Sequence, residues 1–245
     1  TPEYGTGFHI TADGVTVANL AISAGRYGIH FEGTEESPLQ GGVAKNLGIS
    51  SLQGAVGEGG DAAGVKLEWT VGVSVSQCEF SSVAGSEGAA GTDGNTAGEE
   101  GGRGLGVHVL NSTQCAIMAN SFAGLLGGKG GAPSGSNRGG AGGVAAGLLL
   151  ENATGGLISD NEVELATGGA GGGGATQSWG GEGGVGAGVY LLHSTGNGFS
   201  SNTFEFIYGG PGGPCWNAEE WIGVAEGADQ GGSVSSSTRS PWLTR

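Results

Sequence analysis

A short pattern, glycine-apolar-x-apolar, recurs along the chain. It appears as Gly7-Phe8-His9-Ile10, Gly28-Ile29-His30-Phe31, Gly64-Val65-Lys66-Leu67, Gly106-Val107-His108-Val109, Gly147-Leu148-Leu149-Leu150 and Gly188-Val189-Tyr190-Leu191. Successive glycines are 21, 36, 42, 41 and 41 residues apart. Gly223-Val224-Ala225 opens a seventh copy that lacks the last apolar position. Apolar residues at every second position predict strands with one face inward, and no segment sustains a helical period.

A second landmark fixes the register. Fourteen residues after Gly64, Gly106, Gly147 and Gly188 stand Cys78, Asn120, Asn161 and Asn202. Two residues later come Phe80, Phe122, Val163 and Phe204, and three residues earlier Val75, Ile117, Ile158 and Phe199. This reads as strand, turn, strand. In the first two copies Asn19 and Asn46 follow their glycines by 12 and 18 residues, with the apolar positions shifted by one.

Short strands repeating at this period predict a parallel solenoid, in which each copy buries its inward face only by stacking on the next. An amide buried at a tight turn can bond the same amide one coil away. The expected ladder is Asn19, Asn46, Cys78, Asn120, Asn161 and Asn202, with Cys78 a small apolar interruption. On this periodicity, residues 5–226 or so resemble the right-handed parallel β-helix superfamily that includes pectin-lyase-like proteins. The resemblance implies an all-β solenoid of about six to seven coils, expected as one domain over 1–226, while residues 227–245, with a serine run from Ser233, are expected to be a C-terminal linker or tail.

Glycine supplies 59 of the 245 residues, far above the usual ~7%. The first spacing shows that a coil needs about 21 residues, so the later copies carry insertions, at about 54–63, 84–105, 126–146, 167–187 and 209–214. Residues 127–147 read GGK-GGA-PSG-SNR-GGA-GGV-AAG, and 168–188 read GGA-GGG-GAT-QSW-GGE-GGV-GAG. The preceding insertion keeps the period with a slip, at Gly85, Gly88, Gly91 and Gly94, then Gly98, Gly101 and Gly104. Period three is that of the polyproline-II helix, which has no internal hydrogen bonds. Each insertion is therefore expected to be a hairpin of two extended glycine helices, stacked as a side layer. The pattern is similar to the glycine-helix bundles of snow-flea-type antifreeze proteins and certain phage-tail adhesins, and to glycine-rich bacterial surface proteins.

The net charge of −15 disfavours nucleic acid, which needs clustered Lys and Arg. No run of apolar residues is long enough to predict membrane insertion. Starting at Thr1, the sequence is expected to be processed or part of something longer. Cys78, Cys115 and Cys215 show neither a disulfide framework nor metal spacing. Catalytic patterns are not found: the Asp residues are scattered, Lys66 is the only basic residue on an expected strand and has no Asp cluster beside it, and no G-x-S-x-G occurs. No cofactor is expected.

Within the repeated motif the third position points outward, giving the row His9, His30, Lys66, His108, Leu149 and Tyr190. His9 and His30, one coil apart, are candidate ligands for a soft divalent ion. Trp179 at a hairpin tip and Tyr190 are candidate surface contacts, while Trp216 and Trp221 are expected to cap the last coil. The leading expectation is a non-enzymatic extracellular or cell-surface scaffold, structural or adhesive, with self-association or surface glycans as partners. An ice-binding protein is the alternative, with a polysaccharide-active enzyme third.

Overall fold

The computed structural model describes residues 5–55, 60–92, 96–135, 137–174 and 178–214. The seventh copy at Gly223, the tail 227–245, Gly94, Cys215, Trp216 and Trp221 lie outside the described residues.

Among the described residues there is no helix, and the strands follow one another in repeating groups. The first two groups are β1 (Thr6–Ile10) with β2 (Thr16–Ser23), then β3 (Tyr27–Glu32), β4 (Leu39–Gln40) and β5 (Val43–Gln53). Next come β6 (Ala62–Glu68), β7 (Thr70–Val71), β8 (Ser74–Ser76) and β9 (Glu79–Ala84). The remaining groups are β10 (Gly104–Leu110), β11 (Ala116–Met118) and β12 (Ser121–Leu126), then β13 (Ala145–Glu151), β14 (Leu157–Ser159) and β15 (Glu162–Thr167). Last are β16 (Gly186–Leu192), β17 (Gly198–Ser200) and β18 (Thr203–Tyr208).

Corresponding strands pair in parallel. One sheet runs β1-β3-β6-β10-β13-β16, and a second, curled sheet runs β17-β14-β11-β8-β5-β9-β12-β15-β18 with β2 against β5. The architecture is all-β, built on parallel sheets and compatible with a β-helix-like fold. Registers join equivalent motif positions, as in Val65↔Val107 and Val107↔Leu148.

The alternation of each motif explains the burial. Val65 and Leu67 point into a common core, while Lys66 and Glu68 point away from it. Ile29, Phe31, Val107, Val109, Leu148 and Leu150 meet Leu47, Ile49, Phe80, Ile117, Phe122 and Val163 of the facing sheet. Each such side chain contributes roughly 1.5–3 kcal/mol on burial. Phe80 and Phe122 stack with ring centroids 4.7 Å apart and planes 6° from parallel.

The motif glycine has a packing reason. A Cβ on Gly106 would stand 2.1 Å from the Phe122 ring, and one on Gly64 2.2 Å from Phe80. The aromatic ring across the core therefore occupies the place of the missing side chain.

Asn120, Asn161 and Asn202 sit in register at the turn before β12, β15 and β18. Asn120 Nδ2 donates to Asn161 Oδ1 and Asn161 Nδ2 to Asn202 Oδ1, both at 3.0 Å. The second Nδ2 hydrogens reach Val75, Ile117 and Ile158 carbonyls. Cys78 occupies the same inner position, its N–H donating to Asn120 Oδ1. Asn19 and Asn46 do not join this column. They are exposed, bond each other at 2.7 Å and hold left-handed backbone at φ 58° and 52°. Gln77, Ala119, Asp160 and Ser201 share that conformation one residue before Cys78, Asn120, Asn161 and Asn202. Asn suits such a backbone almost as well as it suits the buried turn, and the inner positions here are taken by Leu20 and Leu47.

Candidate functional site

The outer face of the first sheet concentrates the titratable side chains. Strand register places His9 beside His30, His30 beside Lys66, Lys66 beside His108, His108 beside Leu149 and Leu149 beside Tyr190. Two residues further along the same face, Glu32 and Glu68 are partners, and Leu110 is partner to both Glu68 and Glu151.

The two rows interlock by a constant offset. Each imidazole reaches the carboxylate on the next strand, two residues beyond its own partner. His9 Nε2 lies 2.5 Å from Glu32 Oε2, His30 Nε2 3.1 Å from Glu68 Oε2, and His108 Nε2 3.4 Å from Glu151 Oε2. Lys66 faces Leu110 at that offset and instead donates to Glu68 of its own strand at 2.6 Å. Arg103 completes the set, with Nη2 at 2.6 Å from Asp61 Oδ2 and Nη1 at 3.3 Å from Glu151 Oε2.

Burial grades along the row. The His9 side chain is 52% exposed, that of His30 12% and that of His108 4%. Burial, seconded by the Lys66 charge, lowers the His30 pKa despite Glu32 and Glu68. Burial likewise lowers that of His108, with Arg103 and Lys66 adding to the effect against Glu151. Glu151 is brought down to about 2 by the His108 hydrogen bond and the Arg103 charge. Burial works to raise Glu68, but Lys66 and His30 outweigh it and the carboxyl falls below its ordinary value.

Beyond His108 the face turns apolar. Leu149 is fully buried in a small cluster with Ala63, Leu105 and Ala146, and Tyr190 packs half-buried against it. Tyr190 is thus part of a packed patch, whereas Trp179 is 66% exposed. Cys78 and Cys115 are buried thiols whose pKa burial raises, which leaves them poor nucleophiles.

Two regular features lie outside the glycine-apolar-x-apolar motif. The Glu32, Glu68 and Glu151 row stands two residues after the motif's third position in three copies, a regularity visible once the carboxylates are counted with the imidazoles. Thr113, Thr154 and Thr195, each 41 residues apart, form parallel bridges with one another in the turn after β10, β13 and β16.

No protein-family model matches the chain, and no curated protein matches it. A solved structure from Geobacillus virus E2, ORF18, is 12% identical over 80% of this chain and 54% of its own, with a TM-score of 0.12. The chain thus spans about half the length of that protein. So low a score carries no argument.

The glycine-rich segments supply the other surface. Gly85, Gly88 and Gly91 donate their N–H groups to the carbonyls of Leu126, Lys129 and Ala132, and Gly98, Gly101 and Gly104 to those of Arg138, Ala141 and Val144, at 2.8–3.2 Å. A second set forms an unbroken relay. Gly102 donates to Ser86, Gly128 to Gly102, Gly143 to Gly128, Gly169 to Gly143, Gly184 to Gly169 and Gly210 to Gly184, each at 2.8 Å. Room for these contacts exists only without side chains: a Cβ on Gly131 would lie 2.0 Å from the Ala89 carbonyl oxygen. Third-position side chains escape the crowding, and Lys129, Ala132 and Glu182 are exposed.

Proposed function

We propose that the chain is a right-handed parallel β-helix of six to seven coils, flanked by stacked glycine-rich polyproline-II hairpins. Its role is that of a non-enzymatic extracellular or cell-surface scaffold, structural or adhesive. The supporting observation is the main-chain relay from Ser86 through Gly128 and Gly169 to Gly210. Bonds of that kind give otherwise slack glycine segments fixed neighbours and offset their high ordering entropy. The right hand follows from the strong bias of parallel crossover connections.

Charged groups are spent on tying neighbouring copies together, as in Arg103–Asp61, His30–Glu68 and Arg138–Glu182. A cavity of about 10 Å³ lined by Ser112, Cys115 and Asn197 has room for about one water. The exposed third-position side chains and Trp179 form the face offered to surface glycans or to a second copy. Electron microscopy of native material is the test. Rods in surface-attached or filamentous material support the scaffold. A freely soluble chain that releases reducing or unsaturated ends from acidic polysaccharide overturns it.

The register of Thr113, Thr154 and Thr195 favours a second reading, ice binding. Thr154 and Thr195 are exposed, and equivalent positions on paired strands repeat at ~4.8 Å. Thermal hysteresis that is lost in Thr154→Lys would establish this reading over the first.

A further inference from the structure

We propose that His9, His30 and Glu32 form a binding site for a divalent transition-metal ion, with Zn²⁺ as the reference ion. Their ligand atoms all lie within 4.8 Å of one another. The arrangement is set by the sheet. His9 and His30 are register partners on β1 and β3, and their rings are 5.3 Å apart and 16° from parallel. Glu32 follows His30 by two residues and so shares its outward face.

Two imidazole nitrogens and one carboxylate oxygen are the donor set of a borderline ion such as Zn²⁺, not of Ca²⁺ or Mg²⁺, which take oxygen ligands. Ligands at ~2.0–2.1 Å around a tetrahedral ion stand roughly 3.3 Å from one another. The His9–Glu32 separation of 2.5 Å must therefore open by under an ångström. Both side chains can make that adjustment, being 52% and 41% exposed. The same exposure leaves a coordination position for water.

The Lys66 charge that faces His30 is paired. Its ammonium is held by Glu68 at 2.6 Å, and Glu68 also touches His30 at 3.1 Å. Tyr27 lies against the His30 ring at 5.6 Å and carries Arg26 and Lys66 over its own face. A bound ion would fasten β1, the outermost strand of its sheet, to β3.

The test is calorimetric titration of ZnCl₂ into the metal-free 245-residue chain at neutral pH, repeated on His9→Ala and Glu32→Gln, with CaCl₂ as the control. Circular dichroism checks each variant's fold, and the exposure of both residues makes loss of fold unexpected. The expected result is one Zn²⁺ per chain, no competition by Ca²⁺, and binding weakened in each variant by at least the ~10-fold that losing an outer-shell partner costs. Zn²⁺ should raise the melting temperature of the parent and not that of His9→Ala. A parent that does not bind Zn²⁺, or binding that His9→Ala leaves unchanged, overturns the proposal.

Discussion

His108 and Glu151 face each other across adjacent strands, Nε2 to Oε2 at 3.4 Å, although Glu151 lies two residues beyond His108's own register partner Leu149. The pair makes stability depend on pH with a definite sign. His108 is held below its ordinary 6.5, so between that value and its lower folded value the unfolded chain binds the extra proton. Stability is therefore full above pH 6.5 and falls as the pH drops below it. Glu151, at about 2 in the fold against 4.5 ordinarily, adds a second loss that begins below 4.5 and continues to about 2. Urea unfolding at pH 7.5 and 5.5 should show the first loss, made smaller in His108→Gln. A parent protein more stable at pH 5.5 than at 7.5 would contradict this assignment.

Gly106 lies beneath Phe122, and a methyl group there would meet the ring at 2.1 Å. Gly106→Ala is expected to cost about 1–3 kcal/mol by overpacking. Coupled with Phe122→Ala, the two losses should be less than additive, because removing the ring empties the space the methyl needs. Denaturant melts of the two single variants and the double variant measure the coupling.

Asn161 accepts from the Asn120 backbone and side-chain amides and donates to Asn202 and to the Ile117 carbonyl. Asn161→Ala removes one group and strands several buried partners, at about 1–3 kcal/mol. Asn46→Ala, in the exposed outer column, should stay within about 1 kcal/mol. Equal losses in the two variants would mean that the columns are energetically alike.

The distinction between those columns marks the limit of what the sequence conveys. Val65, Val107 and Leu148 could be aligned from spacing alone because burial fixes a strand's register. Asn120, Asn161 and Asn202 were legible for the same reason, each being tied to an apolar residue two places on. Asn19 and Asn46 were not, since Asn is favoured both at a buried turn and in the left-handed backbone one residue earlier. The histidine–glutamate interlock was hidden for a different reason. A side chain's partner across parallel strands depends on its length and tilt as well as on register, so Glu32 answers to His9 and not to the residue beside it. Thr113, Thr154 and Thr195 have a plain 41-residue period, but lie outside the glycine-apolar-x-apolar motif.

Within the glycine segments the response to substitution should follow the three-residue period. Gly131→Ala drives a methyl group into the Ala89 carbonyl and is expected to lose about 1–3 kcal/mol. Lys129→Ala, two residues before it on the exposed edge, should fall within about 0.5 kcal/mol of the parent. Thermal melts of the two variants, compared directly, decide whether position in the triplet matters.

Amide hydrogen exchange across the glycine segments tests the central claim most directly. If main chains bond main chains there, Gly128, Gly143 and Gly169 should exchange slowly, with protection comparable to that of β10 and β13. Exchange of these three amides at the rate of an unstructured peptide, while the strands remain protected, would contradict it.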